Sequence, residues 1–177
     1  MKIIAESASN HQGNINYLIQ LAEAAKEAGA NYFTAQILSP EAFCDKTYSS
    51  IDVIKKIAID QNTWKILFEK FKSIGIDFIP CAADIDSLNF CINHGFKLIK
   101  LHGTDLLNMP MLEQIAVSNI KVLVETQLAT ERDINLALNV MGKNKVEALL
   151  HGYSNYPTEE EELNLGALNY IKEQWNL

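Results

Sequence analysis

Polar and charged residues recur at one end of the strands that the sequence predicts, and their types could support acid–base, metal or anion chemistry. In a parallel α/β barrel, the carboxyl ends of the strands form the functional rim. The residues at these predicted ends are Glu6, Gln36, Cys81, Lys100 with His102, Glu125 with Thr126, and His151. The loops that follow add Asn10, His11, Asp105, Asn155 and Tyr156. The pattern predicts a polar site, although any strand turns polar where it meets water.

Lys100 is the most informative of these residues, because it ends an apolar strand directly after Leu98 and Ile99. A lysine in this place could bind a phosphate or a carboxylate. The alternative is a lysine that pairs with Glu125 on the neighbouring strand end. Glu6 could act as a base, a metal ligand or a hydrogen-bond acceptor for a polyol, or it could be a partner of Lys100.

Three weaker hypotheses use the same rim. Four side chains with metal-ligating atoms lie there, without any spacing that supports a metal site: Glu6, His11, His102 and His151. Cys81 could be a nucleophile beside a histidine, or simply a small buried side chain. A Schiff base on Lys100 would need a lowered lysine pKa, which Glu6 and Glu125 nearby would oppose.

Strands and helices alternate along the whole chain. Strands are predicted at residues 2–6, 31–36, 76–81, 96–101, 120–125 and 146–151. Helices are predicted at about residues 15–28, 61–73, 85–93, 109–117, 131–141 and 159–174, with one turn near Val53. Asp60, Asp84 and Thr130 are the expected N-caps, and Thr158 with Glu161 is the expected capping box of the last helix.

This alternation implies parallel strands joined by right-handed crossovers. The expected fold class is therefore α/β, an incomplete TIM-type (β/α) barrel of about six parallel βα units, whereas a closed barrel has eight. Residues 1–177 are expected to form a single partial barrel domain. The uncovered edges at the first and sixth strands predict self-association into a homo-oligomer, or an opened and flattened sheet.

The composition excludes several classes of partner. The chain has 177 residues and a formal net charge of −7, which argues against nucleic acid and anionic membranes as partners. The N-terminus resembles no signal peptide, and no apolar run approaches the roughly 20 residues that span a bilayer, so a cytoplasmic location is expected. The three cysteines have no metal-binding spacing, and their odd number argues against a disulfide framework.

Five collinear blocks resemble the sialic acid synthase family, which comprises N-acetylneuraminate synthases and their relatives. The blocks are residues 3–6 with 10–13, residues 28–30 leading to Gln36, residues 75–79, residues 100–105 with 108–112, and residues 149–151 with 154–158 and 163–165. Each block alone is modest, but together they cover nearly the whole chain.

The resemblance implies a reaction that condenses phosphoenolpyruvate with an N-acetylated hexosamine, such as N-acetylmannosamine, with manganese or magnesium as the divalent metal. It places Glu6 near the metal and the reacting carbons, and Lys100 at the phosphoenolpyruvate. Gln36, Asp105 and Tyr156 are expected to contact the sugar, and Asn10, His11 and Asn155 are further expected substrate contacts. The family's two metal-binding histidines belong to later barrel units and are expected to be missing from this chain.

The chain also departs from the family pattern. Thr34 stands where the family has a phosphate-binding lysine, and residues 80–83 replace its Ser-Thr-Pro-Phe. The family's Ser-Gly is displaced to residues 103–104, and Glu125 begins a segment that replaces its Ser-Thr-Gly. These changes remove groups that would hold phosphoenolpyruvate, so the expectation is an incomplete or impaired synthase. The alternative is a diverged, non-catalytic barrel fragment that binds a sugar or a protein partner.

Overall fold

A computed structural model describes all 177 residues of the chain. The contacts divide the chain into two compact units, which we call the N-terminal unit (Met1–His94) and the C-terminal unit (Gly95–Leu177). Each unit contains three strands, and each strand is followed by at least one helix.

The N-terminal unit is built on three parallel strands, with β2 pairing on either side with β1 and β3. The strands are β1 (Ile4–Ala8), β2 (Tyr32–Ile37) and β3 (Asp77–Ala82). The helices are α1 (Ile15–Glu27), α2 (Pro40–Phe43), α3 (Ile51–Ile57), α4 (Gln61–Ile74) and α5 (Ile85–His94).

Aromatic side chains from α4 and the strands form the core of the N-terminal unit. The Phe33 ring meets the Phe71 ring edge-on at 5.5 Å between centroids, and Trp64 stacks on Phe68 at 5.8 Å. Phe78 lies between them, 4.9 Å from Phe71 and 5.5 Å from Phe68. Burying one such ring stabilises the fold by about 1.5–3 kcal/mol, so this cluster fixes α4 against β2 and β3.

The C-terminal unit repeats the arrangement with β5 between β4 and β6, and all pairings are parallel. Its strands are β4 (Leu98–Leu101), β5 (Lys121–Glu125) and β6 (Val146–Leu150). Its helices are α6 (Met109–Val117), α7 (Glu131–Met141) and α8 (Ala167–Trp175). Three short 3₁₀ turns occur at Gly103–Asp105, Lys143–Lys145 and Glu160–Leu163.

Local sequence signals place most of these elements correctly. All six strands are present, with ends within about two residues of prediction, and the α/β class with six βα units is confirmed. Asp60 caps α4 by accepting from the backbone N–H groups of Asn62 and Thr63 at 2.9 and 3.0 Å. Thr130 caps α7 within a capping box that it forms with Asp133.

The last predicted helix is wrong in its first half. The chain forms a 3₁₀ turn at Glu160–Leu163, turns at Asn164 with a φ of +44°, and begins α8 only at Ala167. The capping box joins Glu159 to Glu162, and the hydroxyl of Thr158 instead donates to the carbonyl of Asn155 at 2.6 Å.

The connection after β2 is also more ordered than predicted, because it contains both α2 and α3 rather than one turn near Val53. The loop after β1 lies close to the end of α3. A Cβ added to Gly13 would lie 2.3 Å from the carbonyl oxygen of Lys56, so the loop after β1 packs directly on the end of α3. Gly13 also has a φ of +78°, which an L side chain rarely adopts.

We predict that Gly13→Ala destabilises the protein more than Gly29→Ala does. Gly29 has a similar φ of +88° but no heavy atom within 4 Å of an added Cβ, so it isolates the backbone strain, which is about 1–2 kcal/mol. Gly13→Ala adds a clash with backbone that must move, and we expect at least about twice that loss. Urea denaturation of both variants measures the difference. Equal losses would show that the contact with α3 does not constrain the loop.

Candidate functional site

A buried ion pair connects β4 and β5 at the rim of the C-terminal unit. The ammonium of Lys100 lies 2.8 Å from Oε1 of Glu125, with side chains 3% and 12% exposed. In the parallel ladder Lys100 pairs with Leu123, and Glu125 follows two residues later on the same face. The sequence left open whether Lys100 binds an external anion or pairs with Glu125, and the structure shows the pair.

The second carboxylate oxygen of Glu125 also has partners. The side-chain amide of Gln127 donates to Oε2 at 2.7 Å, and the backbone N–H of Gly103 donates to the same atom at 3.2 Å. Nε2 of His102 lies 3.8 Å from this oxygen. The carboxylate is therefore surrounded by donors from β4, from the turn after β4 and from the connection after β5.

Gly103 is needed for this arrangement. A Cβ at Gly103 would lie 3.0 Å from Cδ and 3.1 Å from Nε2 of Gln127, which is closer than ordinary packing. The missing side chain lets the Gln127 amide lie against the turn and reach Glu125. The sequence analysis did not single out Gly103 or Gln127 as site residues, although both lie within two residues of a predicted rim residue.

The surroundings of Glu125 keep its carboxylate ionised. Burial alone would raise the pKa of Glu125, but the hydrogen bond and charge of Lys100, with smaller contributions from Gln127 and His102, outweigh burial and hold the pKa below its ordinary value. At neutral pH the group is therefore an anion buried among donors.

The rim of the N-terminal unit contains Glu6, Gln36 and His11. Glu6 is exposed on β1, where it pairs with Thr34 of β2 in the ladder. Oε1 of Gln36 accepts from the hydroxyl of Ser9 at 2.8 Å, which fixes the amide of Gln36 against the loop after β1. Ser9 was not identified from the sequence, because a single serine in a loop carries no distinctive signal.

His11 is buried and held in one orientation by its own loop. It is 2% exposed, and its Nδ1 accepts from the backbone N–H of Gly13 at 3.1 Å. Burial lowers the pKa of His11, which favours the neutral ring. Because Nδ1 accepts a hydrogen bond, the proton of the neutral ring is assigned to Nε2. The neighbouring residue Asn10 is exposed.

The remaining predicted substrate contacts lie on loops of the C-terminal unit. Oδ1 of Asp105 accepts from the Asn108 amide at 3.1 Å. Oδ1 of Asn155 accepts from the backbone N–H of Tyr156 at 3.0 Å, and the Tyr156 side chain is 97% exposed. The structure thus leaves Tyr156 fully in solvent, and the substrate roles of these residues remain predictions.

The described residues do not fit a divalent metal. Within either unit no three His, Cys, Asp or Glu side chains converge in a way that could hold one. His102 directs Nδ1 at the Thr104 hydroxyl at 2.9 Å, and Nε2 of His151 is 2.9 Å from the Leu163 carbonyl. These residues alone therefore offer no site for a divalent metal.

Cys81 gives no support to a nucleophile. Cys81 and Cys91 are both fully buried, and burial raises the pKa of the Cys91 thiol far above its ordinary value. The Cys91 thiol therefore acts as a small apolar side chain of the core. The full burial of Cys81 keeps its thiol away from a substrate in solution.

Asp84 organises the loop that follows β2, and it is 2% exposed. Its Oδ2 accepts from the backbone N–H of Ser39 at 2.7 Å, and its Oδ1 accepts from that of Ser87 at 2.8 Å. The Ser87 hydroxyl adds a third bond at 2.9 Å. The predicted N-cap of α5 therefore also fastens the chain ahead of α2.

Comparison with known proteins decides the family. The NeuB family model matches residues 19–177. The chain belongs to the NeuB family. It is 29% identical to an N,N'-diacetyllegionaminic acid synthase from Campylobacter jejuni, over 99% of this chain and 58% of the relative. It is 25% identical to the synthase of the same name from Legionella pneumophila, over 99% of this chain and 55% of the relative.

The fold agrees with that of a solved member of the family. A sialic acid synthetase from Leptospira borgpetersenii, in complex with citrate, superimposes with a TM-score of 0.89 at 27% identity. The match covers 97% of this chain and 61% of that protein. The predicted incomplete TIM-type barrel and the predicted family are both confirmed. The chain spans little more than half the length of the curated relatives named above.

The helices of this NeuB-family chain include none that is both long enough and apolar enough to cross a membrane.

We predict that Glu125→Gln lowers the free energy of unfolding by about 3 kcal/mol, because it removes the carboxylate that lies 2.8 Å from the buried Lys100 ammonium. The matched control is Glu69→Gln. Glu69 pairs with Lys72 at 2.6 Å, but these side chains are 68% and 70% exposed. Breaking an exposed pair of this kind costs less than about 1 kcal/mol. Urea denaturation at pH 7 compares the two losses.

The pH dependence of the free energy of unfolding tests whether the loss in Glu125→Gln comes from the missing carboxylate charge. The pKa of Glu125 is lowered by folding from an ordinary value of 4.5. Its stabilising contribution is therefore complete above that value and is lost as the pH falls through the lower folded pKa. The gap between wild type and Glu125→Gln should shrink on acidification. An equal difference in free energy of unfolding at pH 7 and at low pH would contradict the role of the ionised Glu125 carboxylate in stability.

Proposed function

We propose that this chain carries the N-terminal part of a sugar-acid synthase of the carbohydrate biosynthetic type. Its reaction would condense phosphoenolpyruvate with an N-acetylated hexosamine. The proposal is supported by membership of the NeuB family and by the names of the similar proteins, which include an N,N'-diacetyllegionaminic acid synthase and a sialic acid synthetase. It is also supported by the rim residues that this chain retains, namely Glu6, Gln36, Lys100 and Asp105.

In this proposal each rim residue has a role suited to its chemistry. Glu6, exposed at β1, would lie by the reacting carbons. Gln36, Asp105 and Tyr156 would orient the sugar hydroxyls, and Lys100 would neutralise the phosphoenolpyruvate. Asn10, His11 and Asn155 would complete the substrate contacts. The divalent manganese or magnesium ion that the family resemblance implies would need ligands from outside this chain.

We further propose that the chain is impaired in this reaction as it stands, and one observation supports this. The Lys100 ammonium is already held at 2.8 Å by Glu125. A substrate carboxylate or phosphate would have to displace Glu125 and would then be repelled by it. Thr34 is 1% exposed on β2 and supplies no cation there. The alternative function is that of a diverged, non-catalytic fragment that binds a sugar or a protein partner.

Calorimetry with phosphoenolpyruvate, with and without manganese, tests this proposal. We expect no binding of wild-type chain at up to low millimolar phosphoenolpyruvate, because Glu125 neutralises the cation that the ligand needs. N-acetylmannosamine, titrated separately, tests whether the sugar contacts persist. Phosphoenolpyruvate binding at micromolar to low millimolar affinity would show that the reaction is not impaired at this site. If the sugar fails to bind as well, the synthase proposal loses its support and the protein-partner alternative is favoured.

We also propose that the chain self-associates. β1 pairs with β2 only, and β6 pairs with β5 only. Each therefore presents unpaired N–H and C=O groups along one side, which template further pairing. Gel filtration with light scattering should give a mass of at least two chains of 19.8 kDa each. A folded, monodisperse monomer over a wide concentration range would contradict this expectation.

A further inference from the structure

We propose that a cavity bordered by α2, α4 and α5 of the N-terminal unit binds a neutral small molecule, whose carbonyl oxygen accepts a hydrogen bond from Nε1–H of Trp64. The cavity has a volume of about 370 Å³, which lies in the range of sites that hold metabolite-sized ligands. None of the residues that line it is among the rim residues of the proposed function. The inference therefore goes beyond that function and does not depend on it.

Trp64 lines this cavity and contains a buried donor without a partner. Its side chain is 1% exposed, and its Nε1–H has no hydrogen-bond acceptor among the described residues. A buried polar group that is left unpaired costs free energy, so such groups are uncommon in native structures. Trp175, the other tryptophan of the chain, has a partner, because its Nε1–H donates to Oδ1 of Asn135 at 2.8 Å. An acceptor brought into the cavity by a ligand would satisfy Trp64 in the same way.

Aromatic packing holds the Trp64 ring in one orientation. Phe68 stacks on it at 5.8 Å between centroids, and Phe78 stacks on it at 5.9 Å. A stacked ring contacts the face of the indole, whereas the Nε1–H bond lies in the indole plane. The donor is therefore preorganised, and a ligand can bind it without the entropy cost of fixing a mobile side chain.

The other lining residues favour a neutral ligand with an apolar group. Much of the lining is apolar and consists of Ile37, Leu38, Pro40, Ala58, Ile59 and Phe90. Asp60 also lines the cavity, and the buried Asp84 carboxylate accepts from the backbone N–H of Ser39, another lining residue, at 2.7 Å. An anion would meet like charges there, and an ammonium has no lone pair that could accept from Trp64. A carbonyl oxygen on an apolar group meets both constraints.

A second cavity, of about 410 Å³, adjoins the first and shares Ser39, Gln61 and Phe90 with it. Its other lining residues are polar, namely Lys65, Asp86, Asn89, Asn93 and His94. Side chains of these types donate to and accept from hydroxyl and amide groups. The ligand class is therefore neutral amides or ketones that have an apolar group at the carbonyl end and a hydroxylated or amide-bearing remainder.

Nuclear magnetic resonance of the two indole N–H groups tests the proposal, with N-benzylacetamide as the probe. Trp175→Phe assigns the two resonances. We expect the Trp64 resonance to move downfield saturably, because a carbonyl oxygen deshields the proton that it accepts. A probe of this size should have a dissociation constant of about 1 mM. The Trp175 resonance should not move, since that donor already has an acceptor.

Two probes of matched size test the ligand class. Benzylammonium keeps the phenyl group but has no acceptor, and 3-phenylpropanoate has a carboxylate in place of the amide. Both should bind at least about tenfold more weakly than the amide, the first because the Trp64 donor stays unpaired and the second because of the nearby carboxylates.

Variants of the lining test the place of binding. Ala58→Leu should abolish the shift of the Trp64 resonance, because the larger side chain fills the apolar cavity. The matched control is Ala24→Leu, which is exposed on α1 and should leave the shift unchanged. Trp64→Phe removes the donor and should weaken binding of the amide about fivefold, as measured by calorimetry. If Trp64→Phe does not fold, the titrations of wild type with the three probes decide the role of the donor.

Several results would overturn the proposal. These are a Trp64 resonance that does not move at about 10 mM amide, equal shifts of both indole resonances, and a shift that persists in Ala58→Leu. Equal affinities for the three probes, or unchanged affinity in Trp64→Phe, would also overturn it, because the carbonyl would then not bind the indole N–H. Phosphoenolpyruvate is not part of these titrations, so failure of the proposed function and failure of this inference are distinguishable.

Discussion

The Lys100 side chain is only 3% exposed, and a buried ammonium of this kind needs an anion beside it. This requirement determines the contacts at the carboxyl ends of β4 and β5. Glu125 meets the requirement, and its second oxygen in turn gathers the turn after β4 and the connection after β5. The Gly103 backbone N–H and the Gln127 amide both donate to that one oxygen. The part of the molecule most suited to chemistry is thus also the part whose stability depends most on charge balance.

The two units differ in how they hold their rims. In the C-terminal unit the rim is held by charge, through Lys100 and Glu125. In the N-terminal unit two of the rim contacts are neutral, with Gln36 bonded to Ser9 and His11 bonded to its own loop. Neutral contacts of this kind respond little to pH and salt, whereas the Lys100–Glu125 ion pair is sensitive to the loss of either charge.

Much of the fold follows from local sequence signals. The alternation of apolar strands with helices predicts the six strands, and Asp60, Asp84 and Thr130 predict three helix starts, because capping depends on residues only a few positions apart. The last helix was misplaced because Thr158 and Glu161 match a capping pattern, while the break at Asn164 depends on a left-handed backbone conformation that the pattern does not reveal. Both strand ends of the Lys100–Glu125 pair were identified, but the pairing itself depends on strand register, which is a tertiary property.

The position of Asp84 has a consequence for motion. One buried carboxylate accepts from the amides of Ser39, ahead of α2, and Ser87, in the first turn of α5. Releasing the Ser39 amide would leave Oδ2 of this buried carboxylate with the Ser87 hydroxyl as its remaining donor, which costs free energy. The same side chain therefore restrains two segments that are far apart in the chain, the start of α2 and the first turn of α5.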